Sequence, residues 1–237
     1  MSRPTRFWML VLLGLLAAPA MAADTLKART DRYQVQWGSV SLGEGTIRLT
    51  PLGDDCYRYE STTDPVAIVR WTYGAPRETS EFCVVNGQVR AQRFAYQNDK
   101  RNKDNFSLEF DWKKSVVRVL RAGELSLRPF EGVVYDRFVI REAVRLWAVQ
   151  HASDTSRPEA TFTMIDDDHV RSYRFAVTAR ETVETPAGRF ETLRVERVDH
   201  PRKSYRYWLA PSRDFRAVKI EHLKDGKVEL RMALLAD

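Results

Sequence analysis

The chain has 237 residues, of which 30% are charged, and its formal net charge is +6 at pH 7. Charges of both signs are interleaved along the chain without a basic block or stripe, so the composition argues against nucleic acid as a partner. The length is sufficient for a sizeable hydrophobic core that needs no cross-links to be stable.

The first 22 residues predict a cleavable secretory signal peptide. Arg3 and Arg6 precede the apolar run Phe7–Ala18, and Ala20-Met21-Ala22 then supplies the small-x-small pattern that precedes a cleavage site. The apolar run is shorter than the about 20 residues of a membrane-spanning helix, although an uncleaved anchor stays open as the alternative. We therefore expect a periplasmic protein whose mature chain, residues 23–237, forms a single β-rich domain without a transmembrane span.

Cys56 and Cys83 are the two cysteines of the chain. An even number of cysteines in an exported protein favours a disulfide. Closing a loop of this length stabilises a fold by about 3–4 kcal/mol in the chain-entropy description. Two buried thiols stay open as the alternative.

Period-two alternation of apolar and polar residues dominates the first half of the chain and predicts β-strands. Asn86-Gly87 predicts a tight hairpin turn, because both residues tolerate a positive φ, and Lys113-Lys114 predicts a second turn. Gly43-Glu44-Gly45 is interpreted as a turn between the first two strands. The predicted strands cover 33–37, 46–52, 56–62, 66–73, 82–85, 88–96, 106–110 and 115–120.

One segment, about 134–150, predicts an amphipathic helix. Apolar side chains recur at three- and four-residue spacing, and Asp136 near the start suits a cap, where a carboxylate accepts free backbone N–H groups. The apolar positions are Ile140, Ala143, Val144 and Trp147, and the polar positions between them include Arg137, Arg141, Glu142 and Arg145.

The second half returns to alternating patterns, with turns predicted at 166–169, 185–188 and 224–227. The predicted strands cover 160–165, 170–179, 190–198, 204–209, 217–223 and 228–234. The predicted fold class is therefore mainly β: a single curved antiparallel sheet or partial β-barrel around one central α-helix.

No motif in the sequence selects an enzyme class or a cofactor. Asp166-Asp167-Asp168-His169 carries suitable atoms for a hard cation, but its place between two strands favours a solvated turn. The four histidines lack metal-ligand spacing, and nucleophile-elbow, phosphate-loop and dinucleotide motifs are missing from the sequence. We expect no metal, no cofactor and no assignable catalytic residue.

Aromatic residues on the predicted strands are the candidates for ligand binding. Rings on a curved sheet can hold an acyl chain or stack on sugar rings, although for any single residue an ordinary aromatic core is the favoured interpretation. Asp111 and Asp136 add carboxylates near this surface. The candidate ligand-binding residues are Tyr57, Tyr59, Asp111, Trp112, Asp136, Tyr205, Tyr207 and Trp208.

The order and spacing of several short motifs resemble the domain of unknown function 3108 family of bacterial exported proteins. The resemblance covers about residues 31–235 and implies a periplasmic, mostly antiparallel β protein without assigned catalytic residues. The matching segments are Tyr33–Gly38, Tyr57–Ser61, Glu78–Phe82 with Asn86-Gly87, Phe110–Trp112, Gly132 with Asp136, Tyr173–Phe175, Glu184–Phe190 and Trp208–Pro211.

Three functional hypotheses follow. The first is a non-enzymatic envelope protein that binds a lipid-like or glycan ligand on the concave face of the sheet. The second is a hydrolase that modifies envelope polysaccharide or lipid, with Asp111 and Asp136 as acid/base candidates. The third is a structural partner that assembles with another envelope protein through an exposed sheet edge.

Overall fold

A computed structural model describes residues 26–167 and 169–236, and every structural statement below refers to these residues. The predicted signal peptide, residues 1–22, lies outside them. The fold is one sheet of fifteen strands with two α-helices. The strands are β1 (Arg29–Trp37), β2 (Val40–Gly53), β3 (Cys56–Pro65), β4 (Arg77–Val85), β5 (Gln88–Gln97), β6 (Phe106–Asp111), β7 (Val116–Arg121), β8 (Glu124–Pro129), β9 (Val134–Tyr135), β10 (Glu159–Ile165), β11 (Val170–Thr185), β12 (Gly188–Arg197), β13 (Lys203–Ala210), β14 (Arg216–Lys224) and β15 (Lys227–Leu234). The helices are α1 (Ala67–Tyr73) and α2 (Ile140–Gln150).

The sheet consists of two runs of sequential strands, β1 to β8 and β9 to β15, which are joined where β1 pairs with β15. Its order is β8-β7-β6-β5-β4-β3-β2-β1-β15-β14-β13-β12-β11-β10-β9, and only the β9–β10 pair is parallel. The sheet curves without closing, so β8 and β9 are its two end strands. The predicted fold class, a curved sheet or partial barrel around a helix, is confirmed.

The helix at the centre is shorter than predicted. Val134 and Tyr135 pair with Thr163 and Met164 as β9, so the chain is extended where the sequence pattern predicts the first helical turn. Asp136 then caps the turn that leads into α2, because its Oδ1 accepts hydrogen bonds from the backbone N–H groups two and three residues later, each at 2.8 Å.

Two further expectations from the sequence are wrong. Residues 67–73 form α1 rather than a strand, since β3 ends at Pro65 and the following run is too short to distinguish a helix from a strand by its pattern. The segment around Gly43 belongs to β2, and the first turn is at Gly38. Gly43 has a φ of +117° and lies against the carbonyl oxygen of Asp64, where a side chain would collide.

The core lies between the concave face of the sheet and α2. Inward-facing side chains of the strands are buried around the helix, including Leu49, Phe82, Phe94, Leu108, Ile165 and Leu193, and Phe138 from the turn before α2 joins them. A disulfide joins Cys56 and Cys83, which are directly opposite each other on β3 and β4. The core and the disulfide together fix the sheet that frames the cavities described next.

Candidate functional site

Two adjoining cavities lie inside the curved sheet and form the candidate site. The first, which we call the polar chamber, has a volume of about 600 Å³. The second, the apolar chamber, has a volume of about 630 Å³. Both volumes are in the range of small-molecule sites. The two chambers meet at three shared residues, Tyr73, Glu78 and Arg141.

The polar chamber is lined by aromatic rings and by charged groups that neutralise one another. Arg137 contacts Glu78 at 2.7 Å and Asp166 at 3.8 Å, and Arg121 contacts Asp167 at 2.5 Å. The Arg137 guanidinium also lies over three aromatic rings, with centroid distances of 4.6–5.5 Å. Those rings belong to Phe94, Tyr96 and Phe106.

The apolar chamber lies beneath α1 and is lined mostly by hydrophobic side chains. Val69 is the half-buried residue of α1 that faces it, and Trp37 stands at its edge on β1. The other apolar lining residues are Val35, Leu42, Pro65, Pro76, Leu230 and Met232. A space with this lining suits a hydrocarbon tail or a flat apolar group.

Arg141 occupies the junction between the two chambers. It comes from the first turn of α2, which runs inside the sheet, and it also borders a small space of about 30 Å³ below them. Its guanidinium lies 5.2 Å from the centre of the Phe138 ring and beside Tyr207. Among the described residues it forms no ion pair, because Glu78, the shared carboxylate, is bound to Arg137. An arginine stays charged in proteins, so the junction presents a cation without a counter-ion.

The groups around Arg141 remain uncharged at neutral pH. Burial raises the pKa of Tyr207 to about 12. Burial, together with the positive charge of Arg141, lowers the pKa of His222 to about 3. The His222 ring packs edge-on against Tyr205, with centroids 4.7 Å apart. No charge from these groups competes with an anion for the guanidinium.

The tyrosines predicted as ligand contacts lie in different places. Tyr205 and Tyr207 both line the polar chamber. Tyr59 stacks on Phe138 at 4.4 Å and borders the small space below the chambers. Tyr57 is buried and stacks on Phe82.

The remaining predicted residues line neither chamber. Asp111 accepts a hydrogen bond from the Lys114 backbone N–H at 3.1 Å and closes the turn after β6. Trp112 donates its indole N–H to the Ala91 carbonyl oxygen at 2.7 Å. Trp208 donates to Glu181 at 2.8 Å on the outer side of the sheet.

Asp136 is fully buried and held by the core. Besides its two backbone donors, it accepts a hydrogen bond from the Ser80 hydroxyl at 2.6 Å. Burial raises its pKa to about 6. A raised carboxyl pKa within a cleft would favour a hydrolase, but this carboxyl borders neither chamber and its oxygens are already hydrogen-bonded.

The sequence pattern did not single out Arg141. On the helical repeat it falls among the polar positions, which normally face solvent. Because the sheet surrounds α2, the polar positions Glu142 and Arg145 are buried and Arg141 faces the chambers. These polar positions of α2 are enclosed because the sheet curves around the helix, and the strand pattern does not specify that curvature.

Comparison with known proteins gives the family. Residues 32–233 match the family described as "Protein of unknown function (DUF3108)". The chain belongs to this family. The resemblance inferred from the short motifs is therefore confirmed over nearly the same range, and no curated protein matches this DUF3108 chain.

The DUF3108 chain is also similar to a solved structure. It matches the crystal structure of a beta-barrel-like protein of domain of unknown function DUF1849 from Brucella abortus, with a TM-score of 0.55 and 11% sequence identity. The match covers 88% of this chain and 96% of that one. At this identity the likeness shows the fold and leaves the function to the site itself.

The described part of the DUF3108 chain has neither a cluster of metal-binding side chains nor a helix that could cross a membrane. Residues 26–167 and 169–236 contain no cluster of three or more His, Cys, Asp or Glu side chains arranged for a metal ion. The helices in the same ranges are too short or too polar to cross a membrane.

Proposed function

We propose that this protein binds an anionic amphipathic molecule inside the curved sheet. The apolar part of the ligand lies in the apolar chamber beneath α1, and its carboxylate or phosphate lies at Arg141. The observation that carries the proposal is the guanidinium of Arg141, which forms no ion pair with a described residue and lies at the boundary between the two chambers. A cation that is partly removed from water and has no counter-ion is costly, and an anionic ligand offsets that cost through charge-assisted hydrogen bonds.

The aromatic polar chamber accommodates the part of the ligand beyond the anionic group. Tyr205 and Tyr207 offer ring faces and hydroxyl groups there. A purely polar glycan would leave the apolar chamber unfilled, so an amphipathic ligand suits the pair of chambers better. The predicted signal peptide and the disulfide support the periplasm as the place where this binding occurs.

The first test uses a fluorescent fatty acid, cis-parinaric acid, and its uncharged methyl ester as paired probes. The mature chain is expected to bind both, and Arg141→Gln is expected to weaken binding of the acid by about tenfold or more, since a charge-assisted hydrogen bond contributes roughly 1.5–3 kcal/mol. Binding of the ester is expected to change little, because it carries no charge for Arg141 to contact.

A matched control is Arg118→Gln. Arg118 is an exposed arginine on the outer face of β7 that pairs with Glu109 at 3.8 Å and lines neither chamber, so this change is expected to leave the binding of both probes unaltered. If the wild-type chain binds neither probe, the proposal is wrong. If Arg141→Gln binds the acid as tightly as wild type does, the assignment of the anionic group to Arg141 is wrong.

Native mass spectrometry of the protein purified from the periplasm identifies the natural ligand. The proposal predicts an adduct with the mass of an acidic lipid or a related amphiphile in the wild-type protein. The same preparation of Arg141→Gln is expected to carry less of it. A neutral glycan adduct would contradict the proposal.

A further inference from the structure

Strand β8 leaves one edge of the sheet unpaired. Its residues form backbone hydrogen bonds with β7 in the register Val117–Arg128, Val119–Ser126 and Arg121–Glu124. Within residues 26–167 and 169–236 no strand pairs with its other edge. A free edge is a template for another strand, and proteins usually protect it with charges, bulges or a covering segment.

Pro129 ends this edge strand, but the outer face of the strand is apolar. Leu125 is 56% exposed and Leu127 is 59% exposed, and both point to the outside of the sheet. Leu120, which lies directly opposite Leu125 on β7, is 47% exposed and extends the same stripe. Adjacent exposed leucines on an edge strand and its neighbour are typical of an interaction surface.

The charges on the inner face of β8 form no ion pairs within the part of the chain that the structure describes. Glu124 and Arg128 form no ion pair with any described residue, and the Arg128 Nε atom is buried without a hydrogen-bond acceptor. The two side chains cannot pair with each other within one strand, because four residues of extended chain span about 13 Å. No residue in 26–167 or 169–236 forms an ion pair with either side chain, so a second chain can supply their counter-ions.

We propose that β8 is a homodimer interface, in which the β8 strands of two copies pair antiparallel about a two-fold axis through Ser126. In this register Glu124 of each copy lies opposite Arg128 of the other copy. Leu125 of each copy lies opposite Leu127 of the other copy, and the two Leu120 side chains flank them. A two-fold interface must be self-complementary, and the sequence Glu-Leu-Ser-Leu-Arg at 124–128 is self-complementary in both charge and hydrophobicity.

The charges select this register over its neighbours. A slip of two residues in either direction places Glu124 or Arg128 opposite Ser126, and the opposite charges no longer meet. A slip of one residue would place inner-face side chains opposite outer-face side chains, which antiparallel pairing does not allow. The pairing joins two curved sheets edge to edge and is independent of the ligand proposed above.

The test is a charge exchange measured by analytical ultracentrifugation of the mature chain. The wild-type protein is expected to dimerise at micromolar concentrations. Glu124→Arg and Arg128→Glu are each expected to weaken dimerisation by about tenfold or more, because like charges then lie opposite each other twice in the homodimer. An equimolar mixture of the two variants is expected to restore a dimer, since every charged position in the mixed pair then faces its opposite.

The control is Glu109→Arg, a charge reversal on the outer face of β6 that is expected to leave the wild-type dimer unchanged. Circular dichroism verifies that each variant is folded. A wild-type chain that stays monomeric at high micromolar concentration would overturn the proposal. So would single variants that dimerise like the wild type, a mixture that stays monomeric, or cross-linking of β8 to a different envelope protein without self-pairing.

Discussion

Buried charges attach α2 to the sheet around it. Glu142 is almost completely buried and binds two arginines, Arg29 of β1 at 2.8 Å and Arg145 of its own helix at 2.6 Å. Arg145 also donates to the Asp214 carbonyl oxygen at 2.7 Å. The helix that presents Arg141 is therefore held in place by ionic contacts as well as by its apolar side.

Replacing Glu142 tests this attachment. Glu142→Ala is expected to lower the free energy of unfolding by about 3–5 kcal/mol, because it removes a buried carboxylate that two arginines share. Urea denaturation measures the loss. Glu109→Ala is the control, since its pair with Arg118 is exposed and contributes about 0–1 kcal/mol. Equal losses in the two variants would contradict the role assigned to Glu142.

A second residue-scale prediction concerns pH. The pKa of His222 is about 3 in the folded protein and 6.5 in the unfolded chain. Below pH 6.5 the unfolded chain binds a proton that the folded protein does not, so this group lowers stability as the pH falls from 6.5 towards 3. Removing the imidazole removes this sensitivity.

His222→Gln is therefore expected to gain stability relative to the wild type on acidification. The free energy of unfolding of His222→Gln relative to the wild type is expected to be about 2 kcal/mol higher at pH 5 than at pH 8. Asp136, whose pKa is raised to about 6, stabilises the folded state as the pH falls, but it is common to both proteins and cancels in the comparison. Unfolding curves at several pH values measure the gain, and a difference that does not change with pH would show that His222 is already solvated.

At the scale of elements, tight turns were the part of the fold most readily predicted. Asn86 and Gly87 have φ values of 52° and 75°, and Asp225 and Gly226 have nearly the same pair, as two-residue hairpin turns require. Turn chemistry is local, so the sequence is enough to place it. The sequence does not predict α1, because a short apolar run forms a helix or a strand according to what it packs against, and this depends on distant parts of the chain.

The helix α1 is expected to open more easily than any other element next to the site. It has seven residues, none of them buried, and Ile68 and Trp71 are 65% and 76% exposed. An isolated helix shorter than about 12 residues is marginal in water. Its position above the apolar chamber makes it the segment through which a hydrocarbon tail would enter.

Hydrogen exchange tests this expectation. The backbone amides of α1 are expected to exchange about tenfold or more faster than those of α2, because few buried contacts oppose their opening. Adding cis-parinaric acid is expected to slow exchange in α1 of the wild-type protein and to have less effect in Arg141→Gln. Exchange in α1 as slow as in α2, with or without the probe, would contradict a mobile cover.

At the scale of the whole molecule, the strands predict the sheet but not its curvature. The alternating pattern gives the inward face of each strand, so Tyr205 and Tyr207 could be assigned to the concave side from sequence. The residues of the concave face that surround a cavity are determined by how strongly the sheet curves and by how much of the enclosed space α2 occupies. Arg141 and the two chambers follow from that curvature, and they could not be located by any spacing within the chain.

The topology makes one strand pair decisive for the whole fold. Each of the other neighbours in the sheet order is also adjacent in sequence, and only the β1–β15 pair joins the first meander, β1 to β8, to the second, β9 to β15. Ala233 lies at this join, since it pairs with Gln34 of β1 on one side and Lys219 of β14 on the other. A backbone change there should separate the two halves without altering the core side chains.

Ala233→Pro is expected to lower the free energy of unfolding by about 3 kcal/mol or more, because proline has no N–H to donate and both neighbours of β15 are occupied strands. Ala233→Ser is the matched control, since it keeps the N–H at the same half-buried position and is expected to cost about 1 kcal/mol or less. Circular dichroism and urea denaturation measure both. If the proline variant unfolds at the same urea concentration as the serine variant, the prediction is wrong. The two meanders are then held together by α2 and the core, and the β1–β15 hydrogen bonds do not contribute measurably to stability.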